Sequence, residues 1–254
     1  MRALVLCAGR GTRLGDLTRD LPKPLLPVEG VPLVVRMLGH LSALGFTEVA
    51  LNLHHHAERV REAVGDGSRA GVSVTYAVET TLLGTAGAVR NLADFLCAGG
   101  DESFLVLYGD LLIDEDLRPM IAAHRDRDAT ATLLLHQRAG SNSLVARDDA
   151  GRITDFLERP DDAARRANPM PWVNSGVQIL HRRAVSLIPP DSPADLPADV
   201  YQPLVRRERF FGHPLSGYRC AIDSPTRYEA ACRAYAEGRC QLLGQEQGAV
   251  RRGP

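Results

Sequence analysis

Ala3-Leu4-Val5-Leu6-Cys7-Ala8 is apolar at every position and stops at Gly9. Neither side of an extended chain through it can face water, so it reads as a strand buried on both faces of a parallel sheet. Parallel strands need long crossovers, usually helical, and the following sequence supplies them. Pro32 opens a helix with Val34, Leu38, Leu41 and Leu44 on one face and Gly45 as its stop. Glu48–Leu53 reads as a strand, Ala57–Val64 as a short helix, 72–78 as a strand, 85–97 as a helix and 104–108 as a second fully buried strand. This alternation, continuing to about residue 128, predicts right-handed βαβ units. They form an α/β, doubly wound mixed sheet with helices on both faces and a ligand outside the carboxyl ends of the strands. Past residue 129 the pattern changes: 129–135, 144–147, 153–158 and 173–180 read as strands joined by turns such as Asp149-Ala150-Gly151. A smaller β-rich extension at the sheet edge is expected there. The stretch 188–197 reads as a Pro-rich loop, and 199–207 and 225–240 as helices.

With 254 residues, 44% of them apolar and 24% charged, the chain can bury a full core. One domain over 1–240 is expected, with a first half 1–128, a second half 129–240 and a mobile tail 241–254 of Gln, Gly and Arg without periodicity. A formal charge of −1 gives no general attraction to a phosphate backbone, so a nucleic-acid partner is disfavoured. No apolar run approaches the ~20 residues that cross a bilayer, and the start of the chain lacks the pattern of a secretory signal. A cytoplasmic protein is expected, with no membrane partner. The oligomeric state stays open, a homo-oligomer included. Five scattered cysteines with no C-x-x-C pair point to reduced, mostly buried thiols.

The loop after the first strand is Gly9-Arg10-Gly11-Thr12-Arg13-Leu14-Gly15, followed by Pro22-Lys23-Pro24. Glycines directly after a buried strand let backbone N–H groups approach phosphates, and Arg13 and Lys23 would add charge. The spacing fits neither the G-x-G-x-x-G nor the Walker template; taken alone, the loop is as consistent with a plain turn.

Over a longer span the pattern is specific. Leu6 to Leu14, then Leu17-Thr18, Pro22-Lys23-Pro24-Leu25-Leu26-Pro27-Val28 and Gly30-x-Pro32-Leu33, resembles the signature of the sugar-1-phosphate nucleotidyltransferases. Further blocks agree in order: Gly65-Asp66-Gly67, Leu83-Gly84-Thr85-Ala86-Gly87, Tyr108-Gly109-Asp110, Phe156-Leu157-Glu158-Arg159-Pro160, Asn174-Ser175-Gly176 and Asp223-Ser224-Pro225. The compact form and the Leu-Gly-Thr-Ala-Gly block resemble the guanylyltransferases for mannose 1-phosphate and manno-heptose 1-phosphate.

The resemblance implies a Rossmann-like fold, 1–128 being the nucleotide-binding half and 129–240 the sugar-phosphate-binding half. It also implies a reaction in which the phosphate of a sugar 1-phosphate displaces pyrophosphate from a nucleoside triphosphate in line, with Mg²⁺. A phosphate monoester is an anionic nucleophile at neutral pH, so the absence of any Ser-His-Asp or Cys-His constellation fits. By the same resemblance Leu6, Ala8, Gly9, Gly11, Thr12, Arg13, Glu79, Gly84 and Thr85 bind the nucleotide. Arg13, Lys23 and Asp110 carry catalysis, Asp110 holding the metal. Ser143, Glu158, Arg159 and Asn174 bind the sugar phosphate. Glu79, five residues before Gly84, falls at the family's base-reading interval, and a carboxylate accepts from the adjacent N1–H and N2–H of guanine; GTP is therefore the expected donor, although a Glu at a strand end can equally be a surface residue.

Three departures stand out. Ala221 occupies the position where the family usually has an aspartate, leaving Asp223 either to take over part of a metal role or to cap the helix near Pro225. Ser143 stands where a glycine is usual, which implies a reshaped acceptor pocket. His54-His55-His56 invites a metal reading, but alternation lets only His54 and His56 share a face, and fold-supporting histidines are expected. The leading reading is a GDP-sugar-forming enzyme. A thymidylyl- or uridylyltransferase, a regulatory paralogue without turnover and a glycosyltransferase on a similar sheet are its alternatives.

Overall fold

The computed structural model describes residues 1–243 except 10, 139, 191, 192 and 208. Its strands, in chain order, are β1 (Ala3–Leu6), β2 (Pro27–Val28), β3 (Val31–Pro32), β4 (Glu48–Leu53), β5 (Ser73–Val78), β6 (Ser103–Tyr108), β7 (Leu111–Ile113), β8 (Ala131–Gln137), β9 (Ser143–Arg147), β10 (Ile153–Glu158), β11 (Trp172–His181), β12 (Phe210–Pro214) and β13 (Arg219–Ala221). Among the described residues nine of these form one sheet, in the order β10-β9-β11-β6-β1-β4-β5, with β8 on β11 and β12 on β8.

The doubly wound half is as expected. β6, β1, β4 and β5 run parallel, and successive residues of β1 serve opposite faces: Ala3 and Val5 join the core under the helices Leu33–Ala43 and Pro225–Ala236, whereas Leu4 joins the core under Gly84–Asn91 and Ala93–Leu96. Burial on both sides is why the strand shows no alternation. The helix expected over 85–97 is broken at Leu92, which caps both pieces.

The second half is an extension continuous with the sheet. β11 lies antiparallel on β6, Val177 opposite Leu107 and His181 opposite Ser103, and its other edge pairs with β8. His124 fastens this junction from the helix Arg118–Asp126: its ring bonds to Ser103 Oγ of β6 at 3.1 Å and Thr132 Oγ1 of β8 at 2.9 Å. β12 went unread in the sequence because Phe-Phe-Gly-His-Pro has no alternation; its proline ends an edge strand, where a missing N–H is tolerated.

At the C-terminal end residues 241–243 are tied to the body: Gln241 N–H donates to Asp114 Oδ2 at 2.8 Å, Leu243 N–H to His40 Nδ1 at 3.2 Å, and Leu242 is buried. The packed unit therefore continues past residue 240; the rest of the expected tail, 244–254, lies outside the described residues. All five cysteines are free. Among the described residues no helix is long and apolar enough to cross a membrane.

Candidate active site

The carboxyl ends of β1, β4, β5 and β6 open into two adjoining cavities, the position a doubly wound sheet dictates. The smaller, about 260 Å³, is lined by Leu6 to Gly9 after β1, by Asn52, Glu79, Gly84 and Lys23, and by Tyr108 to Asp110 after β6. The larger, about 580 Å³, is lined by Arg13 and by residues of the second half, among them Ser143, Glu158, Arg159, Asn174, Arg219, Asp223 and Arg227. Thr85, Tyr108, Asp110 and Asp195 belong to both walls.

Lys23, on the wall of the smaller cavity, meets Asp110 of the shared wall, Nζ donating to Oδ2 at 2.6 Å with both side chains mostly buried. Pro22 and Pro24 restrict the backbone on either side of Lys23, and the turn closes through Leu26 N–H on the Lys23 carbonyl at 3.1 Å. Asp110 is fixed from two directions: Gly109 N–H donates to the Leu6 carbonyl at 2.9 Å, and Ile222 N–H donates to the Asp110 carbonyl at 2.8 Å. A Cβ at Gly109 would lie 2.6 Å from the Leu6 oxygen, so only glycine lets the turn after β6 come this close to β1. Burial and the charge of Asp110 raise the Cys7 thiol, which remains a neutral lining group.

Glu79 is buried and both of its carboxylate oxygens accept from the protein: Oε1 from Asn52 Nδ2 at 2.8 Å and Oε2 from Leu83 N–H at 3.0 Å. Asn52 Oδ1 in turn accepts from Cys7 N–H at 2.9 Å. The side chain expected to read a base thus also staples β1, β4 and the loop after β5 together. Gly84 has φ of 76°, and a Cβ there would lie 2.3 Å from the Ala194 carbonyl oxygen, so the close approach it permits is to the chain's own 194–196 segment. That segment covers the start of the helix Gly84–Asn91: the Ala194 carbonyl accepts from Ala86 and Gly87 N–H, and Asp195 Oδ1 accepts from Thr85 N–H at 3.1 Å, which places a carboxylate at the positive end of the helix. His54 supports the same wall, Nδ1–H donating to the Glu79 carbonyl at 2.8 Å.

In the larger cavity Ser143 is buried, its Oγ accepting from Asn174 N–H at 2.9 Å. Asn174 Oδ1 accepts from Gly176 N–H at 3.0 Å. Burial raises the Glu158 carboxyl, against the opposing charge of Arg159, whose Nε lies 3.7 Å from Glu158 Oε1 while the rest of that side chain is exposed. Gly11 and Thr12 reach neither cavity: the Gly11 carbonyl accepts from Leu14 N–H and Thr18 Oγ1, and Thr12 opens the short helix Thr12–Thr18. Asp223 lines the larger cavity. β13 ends at Ala221, Asp223 N–H turns back onto the Ala221 carbonyl at 3.1 Å, and the carboxylate pairs with Arg227 at 3.2 Å and Arg13 at 3.9 Å. Ser224, and not Asp223, caps the following helix, which corrects the capping expectation. Tyr108 had been read only as part of its block, and Asp195, Arg138, Arg219 and Arg227 carry no local signal; the fold collects them from separate elements.

The chain belongs to the Nucleotidyl transferase family, whose pattern matches residues 2–214. It is 33% identical over 81% of its length to a UTP–glucose-1-phosphate uridylyltransferase of Synechocystis and 31% identical over 80% to a mannose-1-phosphate guanylyltransferase of Mycobacterium tuberculosis, matching 55% of each. The chain thus spans little more than half the length of these relatives. The fold is shared with HddC from Yersinia pseudotuberculosis, at a TM-score of 0.76 and 22% identity over 92% of this chain and 99% of that one.

Among the described residues no group of three or more His, Cys, Asp or Glu is gathered for a metal ion. Magnesium bound with substrate phosphates needs only one or two protein carboxylates, and Asp110 has one oxygen, Oδ1, that accepts from no described residue. The donor set fits such an ion.

Proposed function

We propose that the chain transfers a nucleoside monophosphate, with GTP the preferred donor, to a mannose- or heptose-like sugar 1-phosphate and releases pyrophosphate. The observation that carries this reading is the ion pair between Lys23 of the smaller cavity and Asp110, which lines both cavities. The smaller cavity suits a nucleoside, the larger a phosphorylated sugar, and the reaction joins them where the pair sits. A phosphate oxygen of the sugar 1-phosphate forms a bond to the α-phosphorus as the α–β bridging bond breaks, and pyrophosphate carries that electron pair away. No proton has to move, so the residues need only align two anions and offset their charge. Lys23, at the boundary of the two cavities, would bridge them, and Arg13, on the wall of the larger cavity, would offset charge on the triphosphate. Asp110 would hold Mg²⁺, which supplies further charge neutralisation on the phosphates. Glu158 and Asn174 orient the sugar.

The guanine preference rests on Glu79: each of its oxygens already accepts one bond and retains a second lone pair for a base edge. UTP is the competing donor, favoured by the likeness to the Synechocystis enzyme. A panel of NTPs and dTTP against several sugar 1-phosphates, followed by pyrophosphate release, tests both. GTP with mannose 1-phosphate or a heptose 1-phosphate is expected to lead. A tenfold advantage for UTP or dTTP overturns the donor assignment, and nucleotide-sugar binding without turnover for any pair overturns the enzymatic reading.

A further inference from the structure

Among the guanidiniums that line the larger cavity, Arg219 is one that the reading above does not use. Arg219 lies on β13, on the face it shares with Ala221, and both line the cavity. Its Nε–H donates to the Ser175 carbonyl at 2.9 Å, and its Nη atoms have no partner among the described residues. Behind it, the fully buried Ser175 hydroxyl meets His136 Nδ1 at 2.9 Å. Burial, with the nearby Arg219, Arg138 and Arg227, lowers His136 to about 4, so it is a neutral brace. The side chain of Arg219 is thus held by an uncharged scaffold.

The surrounding charges do not satisfy it. Asp223 is committed to Arg227 and Arg13, and Asp110 to Lys23. Burial, opposed by Asp110 and reinforced by Arg227 and Arg138, lowers Arg219 only to about 10, so it stays cationic at neutral pH. A largely buried guanidinium beside two further arginines, without a carboxylate of its own, is costly unless an anion meets it. The planar fork of its Nη groups suits two oxygens of one phosphate.

We propose that Arg219 is a phosphate-binding residue of this site, the fork of its guanidinium taking a phosphate group presented in the larger cavity beside Asp110. This rests on the nucleotidyl-transfer reading, which supplies two sources of that chemistry: the phosphate of the sugar 1-phosphate and the departing pyrophosphate. Metal-free calorimetric titration in EDTA separates them, with mannose 1-phosphate and inorganic pyrophosphate as probes on the wild type, Arg219→Met and Arg219→Lys. Arg219→Met is expected to weaken one probe at least tenfold at an unchanged melting temperature, and the probe affected identifies the source; Arg219→Lys, which keeps the charge and loses the fork, is expected to fall between. If Arg219→Met does not fold, the same titration on Arg219→Gln decides. Both probes binding the variant within twofold of wild type overturns the role of Arg219 alone. A wild type that binds neither probe overturns this role together with the reading of the larger cavity.

Discussion

The two cavities are built on different principles. The smaller is framed by consecutive strand ends of the parallel half, where each loop leaves a buried strand and one local stretch supplies several lining groups, as Leu6 to Gly9 does. The larger takes its groups from distant elements, Ser143 from β9, Glu158 from β10, Asn174 from β11 and Arg219 from β13. The departures noted in the sequence, at Ser143 and Ala221, both fall on the larger cavity. On the proposed reading, these departures are where acceptor specificity would be set.

The sharpest test breaks the ion pair at the boundary of the cavities. Asp110→Ala is expected to lower pyrophosphate release by about 10³-fold, and Lys23→Ala by about 10²-fold or more, the scale of losing a preorganised electrostatic group. Arg13, 70% exposed against 12% for Lys23, is expected to lose less, toward about 10²-fold. Steady-state rates with melting curves check this; near-normal rates for Asp110→Ala would remove the basis for treating the shared wall as the reaction centre.

The next test asks whether the cavities are separate in function. Glu158→Gln and Asn174→Ala are expected to raise KM for the sugar 1-phosphate about tenfold, the order of one lost charge-assisted hydrogen bond, with KM for the nucleotide unchanged. Equal shifts in both constants would show that the division between donor and acceptor sides is wrong.

How far the sequence foretold this site follows the same division. The 3–8 strand, Lys23 between its prolines and Asp110 after a buried strand were legible because apolar runs and proline act locally. The 194–196 segment was not: nothing in a Pro-rich loop says that the Ala194 carbonyl will cap a helix more than a hundred residues earlier. Arg219 was hidden for the same reason, its partner Ser175 and the His136 that braces Ser175 belonging to two other strands. Glu79 was found by its interval to Gly84, but its second task, bonding Asn52 and Leu83, depends on β4 and β5 being neighbours.

That second task shapes a smaller prediction. In Glu79→Gln one amide oxygen can still accept from Asn52 or from Leu83 N–H, but the new NH₂ must face the other donor. A buried donor left without an acceptor costs about 1–3 kcal/mol. The preference for GTP over UTP is expected to fall about fivefold, within the range of one such lost acceptor, together with a lower melting temperature. A changed preference at unchanged stability would mean that Glu79 reads the base without bracing the wall, and a loss of stability with donor preference intact would mean the reverse.

The mildest perturbation reaches the seam between the halves. His124, 1% exposed, bridges Ser103 of β6 and Thr132 of β8, and burial, reinforced by His181, Arg183 and Arg125, lowers it to about 4. The folded value lies below the ordinary 6.5, so between the two it is the unfolded chain that binds the extra proton. The contribution of neutral His124 is thus fully present above pH 6.5 and is lost progressively as the pH falls toward about 4. By pH 6 the loss is about 1 kcal/mol, or about 2–4 °C in melting temperature for a chain of this size. His124→Gln removes the titrating group, keeps a polar side chain between the two hydroxyls and is expected to flatten this part of the melting profile, at the cost of a lower melting temperature at neutral pH. The seam lies at the start of β6, away from the cavities at its carboxyl end, so the acid-induced loosening of the wild type is expected to lower the melting temperature without acting on one substrate alone. Acid sensitivity confined to one substrate would place its origin inside that cavity and leave the seam intact.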